Sequence, residues 1–234
     1  MSMFPEYLYN NDTQDIAHHV HKLALSDEPA LRAHCQEVSH QTDTSSLCLQ
    51  EDCVRQSTAS GAVLEAMGKC LRELSQALSE NTSVFGTQNG RADFSTVCQT
   101  VTRIEEERLH LLEHISAQTQ MRRALASSVA DANRALHFLS IARRAVSVEV
   151  HRHYDEAIER VECAYRRFTK ADDAIREVQN FYMTVVERHL PAFMERLRIA
   201  ADFNHAGEAL NRSEIRTLCA EFLILQNHAP NVSF

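Results

Sequence analysis

Glycine and proline are scarce in this chain: its 234 residues include five glycines and four prolines, and neither residue occurs between Arg91 and Leu190. Because both residues interrupt helices, this stretch predicts very long helices. A straight helix of that length would extend about 150 Å, and a hairpin of two halves about 75 Å. Alternating β-branched runs are also nearly absent. The predicted fold is all-α, an elongated antiparallel bundle or coiled coil of long helices.

Motifs that the sequence lacks exclude several functional classes. It has no glycine-rich nucleotide-binding motif, no HExxH zinc motif and no GxSxG nucleophile motif. We therefore predict a non-enzymatic protein without a cofactor or a small-molecule substrate. No apolar run approaches the roughly 20 residues of a transmembrane helix, and the start, MSMFPEYLYNN, does not resemble a signal peptide. The expected location is cytoplasmic, at the periphery of membranes or of the cytoskeleton.

Cysteine usage gives no sign of a disulfide framework. Seven cysteines occur at irregular spacing without a CxxC pair, so we expect reduced thiols that fill helical cores. Cys163 lies in an alanine-rich stretch of a predicted helix. We interpret it as a core thiol rather than as a nucleophile.

Thirteen histidines suggest a test for a metal site. Glu107, His110, Glu113 and His114 would lie on neighbouring turns of one helix. A di-metal centre in a helical bundle needs two Glu-x-x-His elements and two further carboxylates, and only Asp202–His205 weakly resembles a second element. We predict surface histidines and no metal ligands, and a di-metal helical-bundle enzyme is the third hypothesis.

Charge is unevenly distributed along the chain. The net charge is −8, yet residues 121–200 hold 14 Lys and Arg against 11 Asp and Glu. The acidic remainder argues against nucleic-acid binding, whereas the basic region is compatible with a local anionic partner such as a lipid surface.

The first eighty residues predict short helices followed by a longer one. Apolar residues at helical spacing predict two short helices, around Ile16 to Leu23 and around Leu31 to Val38. The polar run Gln41–Ser46 predicts a loop before a helix that spans Leu47 to Leu78. Turn residues in Ser79–Gly90 predict the end of this helix, and Asp93 is a natural N-cap for the next.

Two apolar stripes follow. The first predicts a packed heptad seam, with twelve apolar positions among sixteen: Val97, Val101, Ile104, Arg108, Leu111, Ile115, Gln118, Arg122, Leu125, Val129, Ala132, Leu136, Leu139, Arg143, Val146 and Val150. The second alternates large residues with mainly alanines, which lets helices approach closely. Its positions are Tyr154, Ala157, Val161, Ala164, Phe168, Ala171, Ile175, Val178, Tyr182 and Val185.

The two stripes differ in phase by one residue near residues 147–153. Either one helix continues through a stutter, or the chain turns back there. We favour the turn, because β-branched Val146, Val148 and Val150 weaken helix propensity, and because a hairpin buries both stripes within one molecule.

Beyond the second stripe, Pro191 is predicted to bend the helix without ending it. Apolar spacing continues through Phe193, Leu197, Ala200 and Phe203, and the helix is expected to end near Asn204 to Gly207. Asn211 and Glu214 then form a capping-box-like start for a final helix, which carries Ile215, Leu218, Phe222 and Leu225.

Cations cluster at the predicted turn: Arg143, Arg144, His151, Arg152 and His153. A hairpin tip that carries three arginines would attract anions, and these five residues are the candidate membrane or partner contacts. Alternatively, the arginines form ion pairs on a solvated face with nearby carboxylates, namely Glu149, Asp155, Glu156 and Glu159.

The segments HLPAFMERLRIAADF (residues 189–203) and YDEAIERVECAYRRF (residues 154–168) resemble the third helix of amphiphysin-type BAR domains. In that family, long helices with a proline kink form crescent-shaped dimers that sense or bend membranes. The resemblance spans about residues 45–228. It implies an antiparallel homodimer whose tips, near residues 143–153, face lipid or a partner. BAR domains usually bind lipid through lysines, and this chain has only three.

The organisation predicted from these features is a leader with short helices (1–44), a long-helix bundle domain (45–228) and a tail (229–234). The leading hypothesis is a dimeric, BAR-like scaffold that associates with membranes or a membrane-linked assembly. The alternative is a coiled-coil subunit of a cytoskeletal, kinetochore or tethering complex, with other coiled-coil proteins as partners. Polar seam residues, which often select partner and register, favour this alternative: Arg108, Gln118, Arg122 and Arg143.

Overall fold

The computed structural model describes residues 13–80, 88–201, 211–232 and 234. These ranges contain helices and turns and no strand, which confirms the all-α prediction. In chain order the elements are α1 (Thr13–Ser26), α2 (Glu28–Glu80), α3 (Gln88–Ala145), a 3-10 turn (Val148–Val150), α4 (His151–Thr184), a π-helical turn (Val185–His189), α5 (Leu190–Ala201) and α6 (Arg212–Gln226). None of these helices is both long enough and apolar enough to cross a membrane.

The loop predicted at Gln41–Ser46 is wrong, because α2 is continuous through it. Thr42 Oγ1 donates to the carbonyl of Val38 at 2.8 Å, and Ser46 Oγ donates to the carbonyl of Asp43 at 2.7 Å. Hydroxyls bonded to their own helix can be buried without losing hydrogen bonds, so this polar run remains helical. The second short helix is therefore part of α2, and residue 45, the predicted start of the bundle domain, lies inside α2.

The prediction that Asp93 is an N-cap is also wrong. Helix α3 begins at Gln88, so position 93 lies after the first helical turn, where a cap cannot act. The preceding turn segment is only partly described, since α2 extends to Glu80 and residues 81–87 lie outside the described ranges.

The apolar stripes define the buried faces of α3 and α4. All ten positions of the second stripe are buried, which confirms that face of α4. On α3 the positions of the first stripe are mostly buried and half-buried in turn. The buried set is Val97, Ile104, Leu111, Ile115, Gln118, Leu125, Ala132 and Leu139.

A π-helical turn immediately precedes Pro191. The N–H of Leu190 donates to the carbonyl of Val185, five residues back, instead of four. This wider turn accommodates a residue that cannot donate and whose ring crowds the preceding turn. It also adds one residue to the apolar spacing, so that Leu190, Phe193 and Leu197 are buried in α5. The helix continues past the proline, as predicted, and the end predicted at residues 204–207 lies outside the described ranges.

The described residues divide into two compact units, and α2, α3 and α4 contribute to both. Unit 1 contains residues up to 53, residues 121–174 and Phe234. In it α2 and α4 run parallel: Tyr154 Oη donates to Glu28 Oε1 at 3.3 Å, and Arg160 Nη1 donates to Ser39 Oγ at 3.1 Å. Farther along, Arg167 contacts Asp43 and Ser46. The short hydroxyl side chains of α2 thus lie where α4 presents arginines.

Unit 2 contains residues 54–120 and 175–233. In it α2 and α3 run antiparallel: Gln118 Nε2 donates to Ser60 Oγ at 2.8 Å, and Arg103 Nη1 donates to Glu73 Oε2 at 2.8 Å. Helix α6 packs on α2 at Gly68, where a Cβ atom would meet the end of the flexible Gln226 side chain, which can move aside.

The start of α6 confirms half of the predicted capping box. Asn211 Oδ1 accepts a hydrogen bond from the backbone N–H of Glu214 at 3.0 Å. The reciprocal bond is replaced, since the N–H of Asn211 donates to the carbonyl of Ala200 and the Glu214 carboxylate pairs with Arg196. Both replacements join α6 to the end of α5.

Candidate functional site

The turn predicted between the two stripes is confirmed and brings the five candidate contact residues together. Helix α3 ends at Ala145, Ser147 is extended with φ −69° and ψ 153°, and α4 begins at His151. Two hydrogen bonds close the 3-10 turn: the N–H of Val150 donates to the carbonyl of Ser147 at 3.2 Å, and the N–H of His151 donates to the carbonyl of Val148. The turn reverses the chain without glycine, because every described backbone angle at its ends is accessible to ordinary residues.

Two of the three arginines at the turn form ion pairs. Arg143 of α3 reaches across to Asp155 of α4, with Nη2 donating to Oδ2 at 3.3 Å and Nε donating to Oδ1. Arg152 Nε donates to Glu156 Oε1 at 2.9 Å, one helical turn away. Arg143 holds the pKa of the Asp155 carboxyl below its ordinary value, first by hydrogen bonding and then by its charge. These pairs were the predicted alternative to lipid contact for Arg143 and Arg152.

The remaining three candidate residues differ in exposure. Arg144 and His153 are exposed, and Arg144 has no carboxylate within 4 Å among the described residues. His151 is half-buried, and its Nε2 lies 3.3 Å from the carbonyl oxygen of Val146. The turn therefore offers to a partner the exposed imidazole of His153 and an arginine, Arg144, that forms no ion pair with the described residues.

Sequence reasoning missed an apolar component of this site. Val148, at the apex of the turn, is 80% exposed, and Leu25, near the end of α1, is 76% exposed. Leu25 lies three residues before Glu28, which accepts the hydrogen bond from Tyr154 close to the start of α4. The end of α1 and the turn thus lie at the same end of unit 1. The available sequence signal was Val148, an apolar residue between Ser147 and Glu149 in the predicted turn.

Tyr154 anchors this end of unit 1. Its side chain is buried, and burial, followed by the nearby Cys35 and Glu28, raises the pKa of its hydroxyl well above the ordinary value. The phenol therefore remains a neutral donor to Glu28 and fixes the start of α2 against the start of α4. This contact holds the turn in place relative to α1.

The other candidate residues lie away from the turn. His110 Nδ1 lies 3.4 Å from Glu107 Oε2 in unit 2. In the part of the chain that the structure describes, no three His, Cys, Asp or Glu side chains are grouped as metal ligands, and Asp202 and His205 fall outside it. Cys163 is half-buried, with Arg166 Nη2 3.5 Å from its sulfur.

The cysteines only partly follow the expectation of core thiols. None of the seven is in a disulfide, and four are buried: Cys35, Cys53, Cys70 and Cys219. Burial raises the pKa of the Cys35 and Cys53 thiols to about 12, which keeps these thiols protonated and unreactive. Cys48 and Cys98 are exposed, which differs from the prediction.

Unit 2 carries a surface groove of about 360 Å³ between α5 and α6. Phe193 and Phe222 form its floor, with ring centroids 5.4 Å apart, and His189 and His228 line it as well. Arg196 at the groove is paired with Glu214 and Glu221. Its charge is therefore balanced within the protein.

Comparison of the chain with protein-family models, with curated proteins and with solved structures found no match. The turn of unit 1, with its exposed Arg144 and Val148, is the candidate site on its own geometry.

Proposed function

We propose that this chain is a non-enzymatic scaffold that forms a homodimer of BAR-like architecture and associates with membranes through the turn between α3 and α4. The observation that supports this proposal most is the helical hairpin: one face of α4 is buried along its whole length, and the hairpin ends in a turn that exposes a cation and a large apolar side chain. An exposed apolar side chain beside cations is the combination that interfacial membrane contacts use.

The polar seam residues have hydrogen-bond or ion-pair partners within the chain, which favours the scaffold hypothesis over a coiled-coil subunit of a larger complex. Gln118 bonds to Ser60, Arg122 Nε lies 3.3 Å from Asp172 Oδ1, and Arg143 pairs with Asp155. Arg108 pairs with Glu105 on its own helix. Residues that already have partners within the chain are not needed to select a second chain.

Two exposed leucines on α3 support self-association. Leu109 and Leu112 lie one helical turn apart in unit 2 and are 56% and 37% exposed. Burying a leucine contributes about 1.5–3 kcal/mol, so a twofold interface that covers this pair in both protomers would gain several kcal/mol.

We expect the double substitution L109E/L112E to convert a wild-type dimer to a monomer in sedimentation velocity, with the dimer Kd raised by at least about 100-fold. The matched control is Gln99→Glu, which adds a carboxylate at an exposed position of α3 about three helical turns from the leucines and should leave the dimer intact. A wild-type protein that is monomeric or aggregated at micromolar concentration would contradict the dimeric scaffold.

Membrane association is tested by co-sedimentation with anionic liposomes. We expect reversal of two exposed arginines, R144E/R152E, to weaken binding by roughly 30-fold or more, since each cation near an anionic surface contributes about 1 kcal/mol. Added salt should weaken wild-type binding, because exposed charges are screened over about 8 Å at physiological ionic strength.

The control for this test is R123E/R166E, which reverses two exposed arginines of unit 1 that lie away from the turn. If the control weakens binding as much as R144E/R152E does, binding depends on total charge and the assignment to the turn is wrong.

A further inference from the structure

Fixed charges at the turn cancel one another. Residues 143–156 contain three arginines and three carboxylates, and two of the three possible pairs are formed, Arg143 with Asp155 and Arg152 with Glu156. The only other ionisable side chains in this segment are His151 and His153, apart from the buried phenol of Tyr154. The charge that the turn presents is therefore set by its histidines.

Helix α1 repeats this arrangement. Its single lysine, Lys22, is balanced by a single carboxylate, that of Asp15, and its three histidines, His18, His19 and His21, are exposed. Ile16 and Val20 are buried, so the histidines project from the opposite, outer face of the helix. Five of the thirteen histidines thus belong to two elements whose other charges cancel.

The two elements lie at one end of unit 1. Helix α1 leads directly into α2 at Asp27, whose Oδ1 accepts from the N–H of Ala30 at 3.1 Å. The next residue, Glu28, is bonded to Tyr154 of α4. The two most exposed large apolar side chains of the described residues are Leu25, three residues before Glu28, and Val148, six residues before Tyr154.

We infer that α1 and the α3–α4 turn form one docking surface for anionic lipid, and that this surface becomes cationic when its histidines take up protons. The inference rests on the proposed membrane association and adds how that association is regulated. Histidine is the side chain whose charge ordinarily changes between pH 8 and pH 5. Protonation would place up to five positive charges around two exposed apolar side chains.

The charged groups around these histidines do not cancel the positive charge that protonation would add. Among the side chains that the structure describes, they come from every element at this end: Lys22 of α1; Asp27, Glu28 and Arg32 of α2; Arg143 and Arg144 of α3; Glu149 of the turn; and Arg152, Asp155 and Glu156 of α4. Acidic and basic groups are equal in number in this set, so the surface is not cationic while the histidines are neutral. Asp155 and Glu156 are paired with Arg143 and Arg152, so their charges are already compensated.

An anionic bilayer is the occupant that this chemistry favours. A soluble acidic partner would be attracted by the same charges, but it would not require Leu25 and Val148 to be exposed among them.

The test is flotation of the full chain with vesicles of phosphatidylcholine and phosphatidylglycerol, whose phosphates stay ionised, at about pH 7.5 and about pH 5.5 and constant ionic strength. We expect the vesicle partition coefficient to rise by at least about tenfold at the lower pH. In H18Q/H21Q/H153Q the rise should fall below about twofold, with binding at the higher pH unchanged. Far-UV circular dichroism at both values checks that each variant is folded.

The matched control replaces three exposed histidines elsewhere, H40Q/H110Q/H137Q, and should keep the full rise. A control that loses the rise equally would overturn the inference, because total charge would then explain the effect. Equal binding to vesicles of pure phosphatidylcholine would also overturn the inference. So would displacement of the protein from the vesicles by polyglutamate together with unchanged vesicle binding of L25S/V148S, because the occupant would then be an acidic polymer. Strong and equal binding at both pH values would contradict the regulation by histidines but not the proposed membrane association. No binding at either pH value would contradict both.

Discussion

Deletion of Asn180 is expected to abolish the cooperative unfolding of unit 2, whereas deletion of Arg188 together with Pro191→Ala is expected to preserve it. Removing one residue from an α-helix rotates everything beyond it by about 100°. Deletion of Asn180 therefore turns Tyr182 and Val185, both buried, away from the core. Each large side chain lost from the core lowers the free energy of unfolding by about 2–5 kcal/mol. The loss of two or more therefore removes a large part of the roughly 5–15 kcal/mol by which a typical domain is stable.

Arg188 lies in the π-helical turn, which already contains one residue more than an α-helical turn would. Deleting it changes the spacing from Val185 to Leu190 from five residues to four, so both keep their faces. Pro191 must be replaced at the same time, because its ring would meet the carbonyl of a regular preceding turn at a cost of about 3 kcal/mol or more.

Urea unfolding followed by far-UV circular dichroism compares the two deletions. Both remove an exposed residue from one continuous helical run, so the exposure of the deleted residues is matched. Similar midpoints for the two variants would refute the idea that the π-helical turn sets the register of α5. Pro191→Ala alone is the reference for the Arg188 deletion.

Phe168→Ala is expected to lower the free energy of unfolding by about 3–5 kcal/mol. Phe168 is 1% exposed and lies in the α4 stripe of unit 1, between Ala164 and Ala171, which are also buried. Alanines on either side cannot expand into the space of a lost ring, so the cavity remains.

The matched control is Phe94→Ala, the same substitution at a phenylalanine that is 42% exposed on α3. We expect it to cost under about 1 kcal/mol, since less apolar surface is returned to water. Midpoints of urea unfolding measure both variants. Equal losses for the two phenylalanines would show that the α4 stripe is not a close-packed core.

Long-range periodicity made most of the fold predictable. The ten stripe positions from Tyr154 to Val185 are all buried because a single face repeated over thirty residues leaves little choice of orientation. The turn near residue 149 followed from a one-residue phase difference. Local propensity misled where tertiary packing prevailed: Thr42 and Ser46 suggested a loop, but α4 places Arg160 and Arg167 beside this part of α2 and favours short hydroxyls there.

The candidate site was predictable in its residues but not in its charge. Arg143, Arg144 and Arg152 were found from their clustering, whereas their neutralisation depends on which carboxylate each side chain reaches, and sequence left this open. The π-helical turn was not predicted, because a proline indicates that a helix is disturbed but not which kind of turn results. The contribution of Leu25 could not be predicted, since it depends on the contact between Glu28 and Tyr154, which are far apart in the chain.

The parallel arrangement of α2 and α4 in unit 1 has a consequence for synthesis on the ribosome. Glu28 contacts Tyr154 and Ser39 contacts Arg160 over sequence separations of 126 and 121 residues. Arg143 and Asp155, which join α3 to α4, are only 12 residues apart. Local contacts close first, so the hairpin of α3 and α4 is expected to form before the first part of α2 docks. At about 5–20 residues per second, that part of α2 waits on the order of 10 s for its partner to be translated. During this interval its buried face is open to solvent, and a nascent chain stalled before α4 would be the form most dependent on chaperones.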